Sequence, residues 1–190
     1  MGILNVTPDS FFDGGRYIAR EKAVEHGIKM FEQGADIIDV GGESTRPYSK
    51  RIPVEEELER VIPVIEELAK EIDIPISIDT YKSRVAEEAI HAGASIINDI
   101  SSFRFDPEMP KVASEAGVPV VLMHMKGRPE DMQDSPEYDN LISEIISFLE
   151  AAKKEAIRNG IKQDHIIIDP GIGFGKRVEH NLEIIRSLSS

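Results

Sequence analysis

Six polar residues stand at or beside the ends of short apolar runs in this sequence: Asn5, Asp39, Asp79, Asn98, His124 and Asp169. Taken singly, an Asn or Asp in such a place more often caps the next helix or satisfies a loop amide than binds a ligand. Together they form an acceptor-rich set that would converge at one mouth if the runs were neighbouring strands of a parallel barrel. Such a cup suits a ligand that presents several N–H donors along one edge, as a guanidine-like heterocycle does.

Three loops add chemistry. The first, Asn5-Val6-Thr7-Pro8-Asp9-Ser10-Phe11-Phe12-Asp13-Gly14-Gly15, is longer than an ordinary strand-to-helix connection. Its two aromatics precede a Gly-Gly hinge, so a rim-capping loop and a mobile lid are equally consistent with it. The second, Gly41-Gly42-Glu43-Ser44-Thr45-Arg46-Pro47-Tyr48-Ser49-Lys50-Arg51, sets Arg46 just beyond glycines that would expose backbone N–H groups, an arrangement fit for an anion. The third, Asp169-Pro170-Gly171-Ile172-Gly173-Phe174-Gly175-Lys176, satisfies neither the phosphate loop nor G-x-G-x-x-G. Pro170 stands where the first phosphate-loop glycine belongs, and Lys176 where the third dinucleotide glycine belongs. It supplies a carboxylate, an aromatic and a cation. His124 has no second histidine or carboxylate at metal-ligand spacing and reads as a hydrogen-bonded structural residue.

The elements that must position these residues repeat one theme. Apolar runs at 3–6, 37–40, 75–78, 95–97, 118–123 and 165–168 are short, rich in β-branched residues and non-alternating, as parallel strands buried on both faces would be. Between them, period-3.6 patterns predict helices over 23–31, 58–69, 85–90, 109–116, 141–157 and 182–188. Gly34, Gly93, Gly117 and Gly160 follow helices immediately before strands, where a left-handed residue is wanted. Function spread over every strand end, with no glycine-rich turn after the first strand, favours a barrel over a doubly wound sheet. The fold class is α/β, of (β/α)8 TIM-barrel type, with about six βα units in 190 residues where a complete barrel takes about 250. No linker interrupts the chain, which reads as one domain over 1–190.

Composition excludes several classes. A net charge of −13, from 35 acidic and 22 basic residues, repels nucleic acid and anionic membranes. No apolar run approaches the roughly 20 residues of a membrane span, and no secretory leader opens the chain, so a cytoplasmic location is expected. With no cysteine, disulfide and thiolate chemistry are absent.

Residues 1–11, Gly42-Glu43-Ser44-Thr45-Arg46-Pro47, Ile78-Asp79-Thr80, Ile97-Asn98-Asp99, Leu122-Met123-His124-Met125 and residues 169–176 together resemble the dihydropteroate synthase family, in order along the whole chain. The resemblance implies a TIM-barrel transferase of folate biosynthesis, a sulfonamide target. It would condense 6-hydroxymethyl-7,8-dihydropterin pyrophosphate with para-aminobenzoate, using Mg²⁺. It implies that Asp79, Asn98, Met123 and Asp169 hold the pterin, and that Asp79 and Arg46 are catalytic. Asn5 would meet the metal and pyrophosphate, while Pro8, Ser10, Phe11, Thr45 and Phe174 would form the para-aminobenzoate side. Small molecules are then the partners.

The family's Lys-x-Ser-Arg-like segment on strand seven and its Arg-x-His pair on strand eight have no counterpart here. Units seven and eight are therefore expected to be missing, and the 190-residue polypeptide alone to be inactive. Two uncovered strand edges predict self-association into a homo-oligomer, or a longer protein that covers them. The alternatives are a corrinoid-dependent methyltetrahydrofolate methyltransferase-like barrel, which the loops at 7–12 and 44–47 argue against, and a non-catalytic barrel fragment.

Overall fold

The computed structural model describes residues 1–7 and 15–188. Strands β1 (Gly2–Asn5), β2 (Ile38–Gly41), β3 (Ile76–Asp79), β4 (Ile96–Asp99), β5 (Val120–Met123) and β6 (Ile166–Asp169) form one parallel sheet in sequence order. Helices α1 (Gly15–Glu32), α2 (Val54–Glu71), α3 (Ser83–Ala92), α4 (Met109–Ala116), α5 (Leu141–Arg158) and α6 (Val178–Arg186) alternate with them. α1 packs on α2, α2 on α3 and α3 on α4, so the helices follow the sheet around one face. This is six-strand barrel geometry of the (β/α)8 type. No helix among the described residues is long and apolar enough to cross a membrane.

Period-two alternation divides each strand between two environments. Leu4, Ile38, Val40, Ile76, Ile78, Ile97, Val120 and Leu122 face the helices and are buried against Val61, Val64, Ile65, Leu68, Val85 and Ala89. The opposite face carries the polar residues, and the register lines them up in rows. Asn5 pairs with Gly41, Gly41 with Asp79, and Asp79 with Asn98, while Met123 pairs with Asp169. Gly41 is what lets this row close up, since a Cβ there would come 3.3 Å from Asp79 Oδ2.

Burial on both faces holds for the central strands and fails at the edges. All four residues of β2 and of β5 are buried, whereas Ile3 of β1 and Ile167 and Ile168 of β6 are exposed. The edge runs read like central ones, but among the described residues β1 and β6 each pair with a single strand.

The expected helix-ending glycines all adopt positive φ, from 64° at Gly117 to 121° at Gly93. At Gly93 space adds to conformation, because a Cβ would meet that of Ala69 at 2.6 Å. Helix starts were harder to read. α1 begins at Gly15, well ahead of its periodic apolar stretch, and α6 at Val178 rather than 182. The α6 terminus is capped by its own side chains, with Arg177 N donating to His180 Nδ1 at 3.1 Å. That pair is outside the usual capping vocabulary of Ser, Thr, Asn and Asp.

Candidate functional site

The strand C-termini surround a cleft of about 330 Å³. Asn5, Asp39, Asp79, Asn98, Met123 and Asp169 line it from the strands, Thr45 and Arg46 from the β2–α2 loop, and Phe174 from the β6–α6 loop. Thus every residue that the family resemblance assigns to the site and that lies in the described region reaches one cavity, while His124 of the strand-end set does not. Pro8, Ser10 and Phe11 lie outside the described residues.

The floor of the cleft is anionic and short of donors. Asn98 Nδ2 donates to Asp39 Oδ2 at 3.2 Å, but Asp39 Oδ1 and Asp79 Oδ1 are buried with no hydrogen-bond partner. Leaving such atoms unpaired costs free energy unless a donor arrives. Burial pushes the Asp79 carboxyl well above the ordinary range, and the charges of Asp39, Glu57, Asp99 and Glu43 push the same way. Burial also raises Asp39, against the opposing pull of Ser77 and then Asn98. A ligand's N–H groups would offset this penalty by donating to the ionised carboxylates. Met123 and Ile100 are buried in the walls and Phe174 is half-buried beside them, which leaves flat apolar surface above the polar floor.

Asp169 divides its work. Its Oδ1 accepts from Gly171 N at 2.7 Å, and its carbonyl accepts from His124 N at 2.9 Å. One carboxylate oxygen thus shapes the loop that follows. Asp99, next to Asn98, is wholly structural: it accepts from the Ser101 amide and hydroxyl and from Phe103 N, at 2.7–2.8 Å.

The glycines before Arg46 do not expose backbone for an anion, contrary to expectation. Gly41 and Gly42 are buried. A Cβ at Gly42 would lie 2.7 Å from Val61 Cγ1, and its carbonyl accepts from Arg60 at 2.7 Å. They are close-packing residues, and Arg46 itself is the exposed cation at the cleft. The rest of that loop is held by a buried ionic cluster. Glu43 accepts from Tyr81 Oη at 2.6 Å, from Lys82 Nζ at 2.7 Å and from Ile52 N at 3.0 Å, and Lys82 also donates to Glu57 and to the Ile52 carbonyl. Burial raises the Glu57 carboxyl and Lys82 offsets this, while burial and Glu43 raise the Tyr81 phenol.

His124 is a structural histidine, as its lack of partners at metal spacing suggested. It is buried outside the cleft lining, with Lys176 Nζ 2.9 Å from Nδ1. Since the ammonium donates, Nδ1 accepts and the ring proton sits on Nε2. Burial, then Lys176, lowers its pKa to about 3, so it is neutral at pH 7. Among the described residues no group of three or more His, Asp or Glu is placed to hold a metal.

Asp39 belongs to the acceptor-rich set of strand ends read from the sequence, although the family resemblance assigns it no contact of its own. The signal was there: it interrupts Ile37-Ile38-Asp39-Val40 with a charge on the same face as Gly41, two positions on.

A family profile described as pterin binding enzyme matches residues 1–190. The dihydropteroate synthase of Bacillus subtilis (strain 168) is 51% identical over 188 residues, 99% of this chain and 64% of the relative. The crystal structure of Yersinia pestis dihydropteroate synthase with a sulfonamide drug complex matches with a TM-score of 0.93 and 46% identity, over 100% of this chain and 68% of that one. Xanthomonas albilineans dihydropteroate synthase with 4-aminobenzoic acid matches with a TM-score of 0.92 and 47% identity, over 99% and 66%. The family profile gives the class, that of the pterin binding enzymes, to which the partial barrel conforms. Within that class the chain belongs to the dihydropteroate synthase family, a family of transferases, and not with the methyltransferase-like alternative. It spans just under two thirds of the Bacillus subtilis relative, 64% of its length.

Proposed function

We propose that the whole protein in which these residues stand is a dihydropteroate synthase of folate biosynthesis. It joins 6-hydroxymethyl-7,8-dihydropterin pyrophosphate to para-aminobenzoate, giving 7,8-dihydropteroate and pyrophosphate. One observation carries this reading: two unpartnered buried carboxylate oxygens, on Asp39 and Asp79, share a cleft with Asn98 beneath apolar walls. A pterin supplies what that cleft lacks, an edge of ring N–H and amino donors on a flat ring.

In this reading Asp79, Asn98 and Asp169 accept from the pterin and Met123 packs on its face. The C–O bond from the pterin methylene to the pyrophosphate breaks, and the positive charge that develops on the methylene lies near the acidic floor, which stabilises it. The arylamine nitrogen supplies the electron pair for the new C–N bond and then sheds a proton. An arylamine is already a nucleophile, so no activated Ser or Cys is required. Thr45 and Phe174 border the approach of para-aminobenzoate, and the family resemblance assigns Pro8, Ser10 and Phe11 to the same substrate. Arg46 faces the departing anion.

Asn5, exposed at the end of β1, offers one neutral amide oxygen toward Mg²⁺. That donor set fits a magnesium ion accompanying the substrate's pyrophosphate, since Mg²⁺ takes few protein ligands beside phosphate oxygens and water. Such an ion would neutralise charge on the leaving group. We place the protein in the cytoplasm as part of the same reading, in keeping with a chain that contains no cysteine.

The test is turnover by the whole protein. Dihydropteroate and pyrophosphate should form in equal amounts only when both substrates are present, and a sulfonamide should compete with the arylamine. Failure of the whole protein to form dihydropteroate from the two substrates would overturn the assignment. The 190 residues by themselves are expected to retain pterin binding, because the acceptor floor lies within them.

A further inference from the structure

Lys176 is a buried cation with no place in the reaction just described. It is 3% exposed. The three N–H groups of its ammonium are shared among four acceptors, the carbonyls of Gly171 at 2.8 Å, Phe174 at 3.0 Å and His124 at 3.2 Å and His124 Nδ1 at 2.9 Å. Three backbone oxygens converging on one charge would repel each other without it, so the ammonium holds the β6–α6 loop as a bound metal ion would. Two of those carbonyls belong to that loop and the third to the end of β5. The loop is therefore fastened to a strand that also bounds the cleft.

The surroundings leave little slack. A Cβ at Gly171 would lie 2.0 Å from the His124 carbonyl oxygen, and one at Gly175 would lie 2.5 Å from that of Lys126. Two further loop carbonyls are also held, that of Gly173 by Gln133 Nε2 at 2.8 Å and that of Gly175 by Tyr138 Oη at 2.7 Å. Phe174 is the side chain this arrangement delivers: it enters the cleft and packs against the cluster of Ile100, Met123, Met125 and Tyr81. Burial lowers the Lys176 pKa to about 8, with Asp169 opposing, so the charge is retained near neutrality at a cost to folding. A strained charge kept for its geometry fits a placing role better than a stabilising one.

We propose that Lys176 is a positioning residue for the arylamine side of the cleft, acting through the β6–α6 loop and Phe174. The inference rests on the dihydropteroate synthase reading; the pterin floor of Asp39, Asp79 and Asn98 lies on β2, β3 and β4, and Asp169 is the pterin residue shared with the β6–α6 loop. It is tested in the whole protein by measuring arylamine KM and pterin Kd separately. Wild-type turnover establishes the reading itself, so the Lys176 variants address the proposal alone.

Lys176→Met should raise arylamine KM on the order of tenfold or more while leaving pterin Kd within about threefold. In a Phe174→Ala background the same substitution should add little, because the two act as one unit. Tyr138→Phe removes only the donor to the Gly175 carbonyl and should raise arylamine KM by a smaller factor in the same direction. It decides the question if Lys176→Met does not fold. Unchanged arylamine KM in the folded variants, equal losses for both substrates, or a full Lys176→Met effect without Phe174 would each overturn the proposal.

Discussion

Asp79→Asn is expected to weaken pterin binding on the order of 10- to 100-fold, the worth of a hydrogen bond to a charged acceptor. The same substitution should leave thermal stability unchanged or raise it. Asp79 is crowded by Asp39, Glu57, Asp99 and Glu43, and burial opposes its ionisation. Asparagine keeps the shape and removes the charge, which relieves the folded state while depriving the ligand of its anionic partner. The two effects run in opposite directions, so they separate a binding residue from a structural one. A pH titration sharpens the point. A donor edge binds the ionised carboxylate, so wild-type affinity should rise as pH rises through the elevated Asp79 pKa, with proton release, and the asparagine variant should lose that dependence. Calorimetric titration with a pterin and a melting curve are sufficient, and intact binding with lost stability would assign Asp79 to the scaffold.

The largest stability effect is expected from Lys82→Met. Lys82 has its ammonium against Glu43, Glu57 and the Ile52 carbonyl, and Glu57 is 1% exposed. Removing the cation leaves two carboxylates facing each other in the interior, which costs about 3–5 kcal/mol where a buried pair is broken from one side. The sign with pH follows. A carboxyl whose folded pKa is raised binds more protons folded than unfolded, so stability falls as pH rises through that range. The Lys82→Met deficit should therefore grow from acid toward neutral pH, and Glu57→Gln in the same chain should recover part of it. Denaturant melts at several pH values measure this. A deficit within error of zero at pH 7 would mean that the cluster is not what holds the β2–α2 loop, and with it Thr45 and Arg46, at the cleft.

These clusters mark the boundary of what could be read from residues alone. Strand positions and the row of strand-end acceptors were legible because parallel strands in consecutive order bring Asn5, Asp79 and Asn98 to one level. Contacts between loops had no such rule. Lys176 meets His124 from 52 positions away, and Lys82 meets Glu43 from 39, with nothing in either local sequence to announce the partner. Gly41 and Gly42 looked like an anion-binding backbone and proved to be packing residues, because a glycine needed for close approach and one needed for exposure read alike. Glu57 is one of three acids in the first turn of α2, yet it alone of them is buried. Asp39 was legible as one strand-end acceptor among six, and the unpartnered oxygen beside Asp79 is what singles it out.

The central claim is that the cleft floor recognises a donor edge. It is tested most directly by comparing the affinity of a pterin with that of its analogue bearing oxygen in place of the 2-amino group. The two ligands share shape and ring area and differ in the donors they offer. The account predicts that the oxo analogue binds more weakly by at least about tenfold, because it brings an acceptor to acceptors. Equal affinity for the two would contradict it.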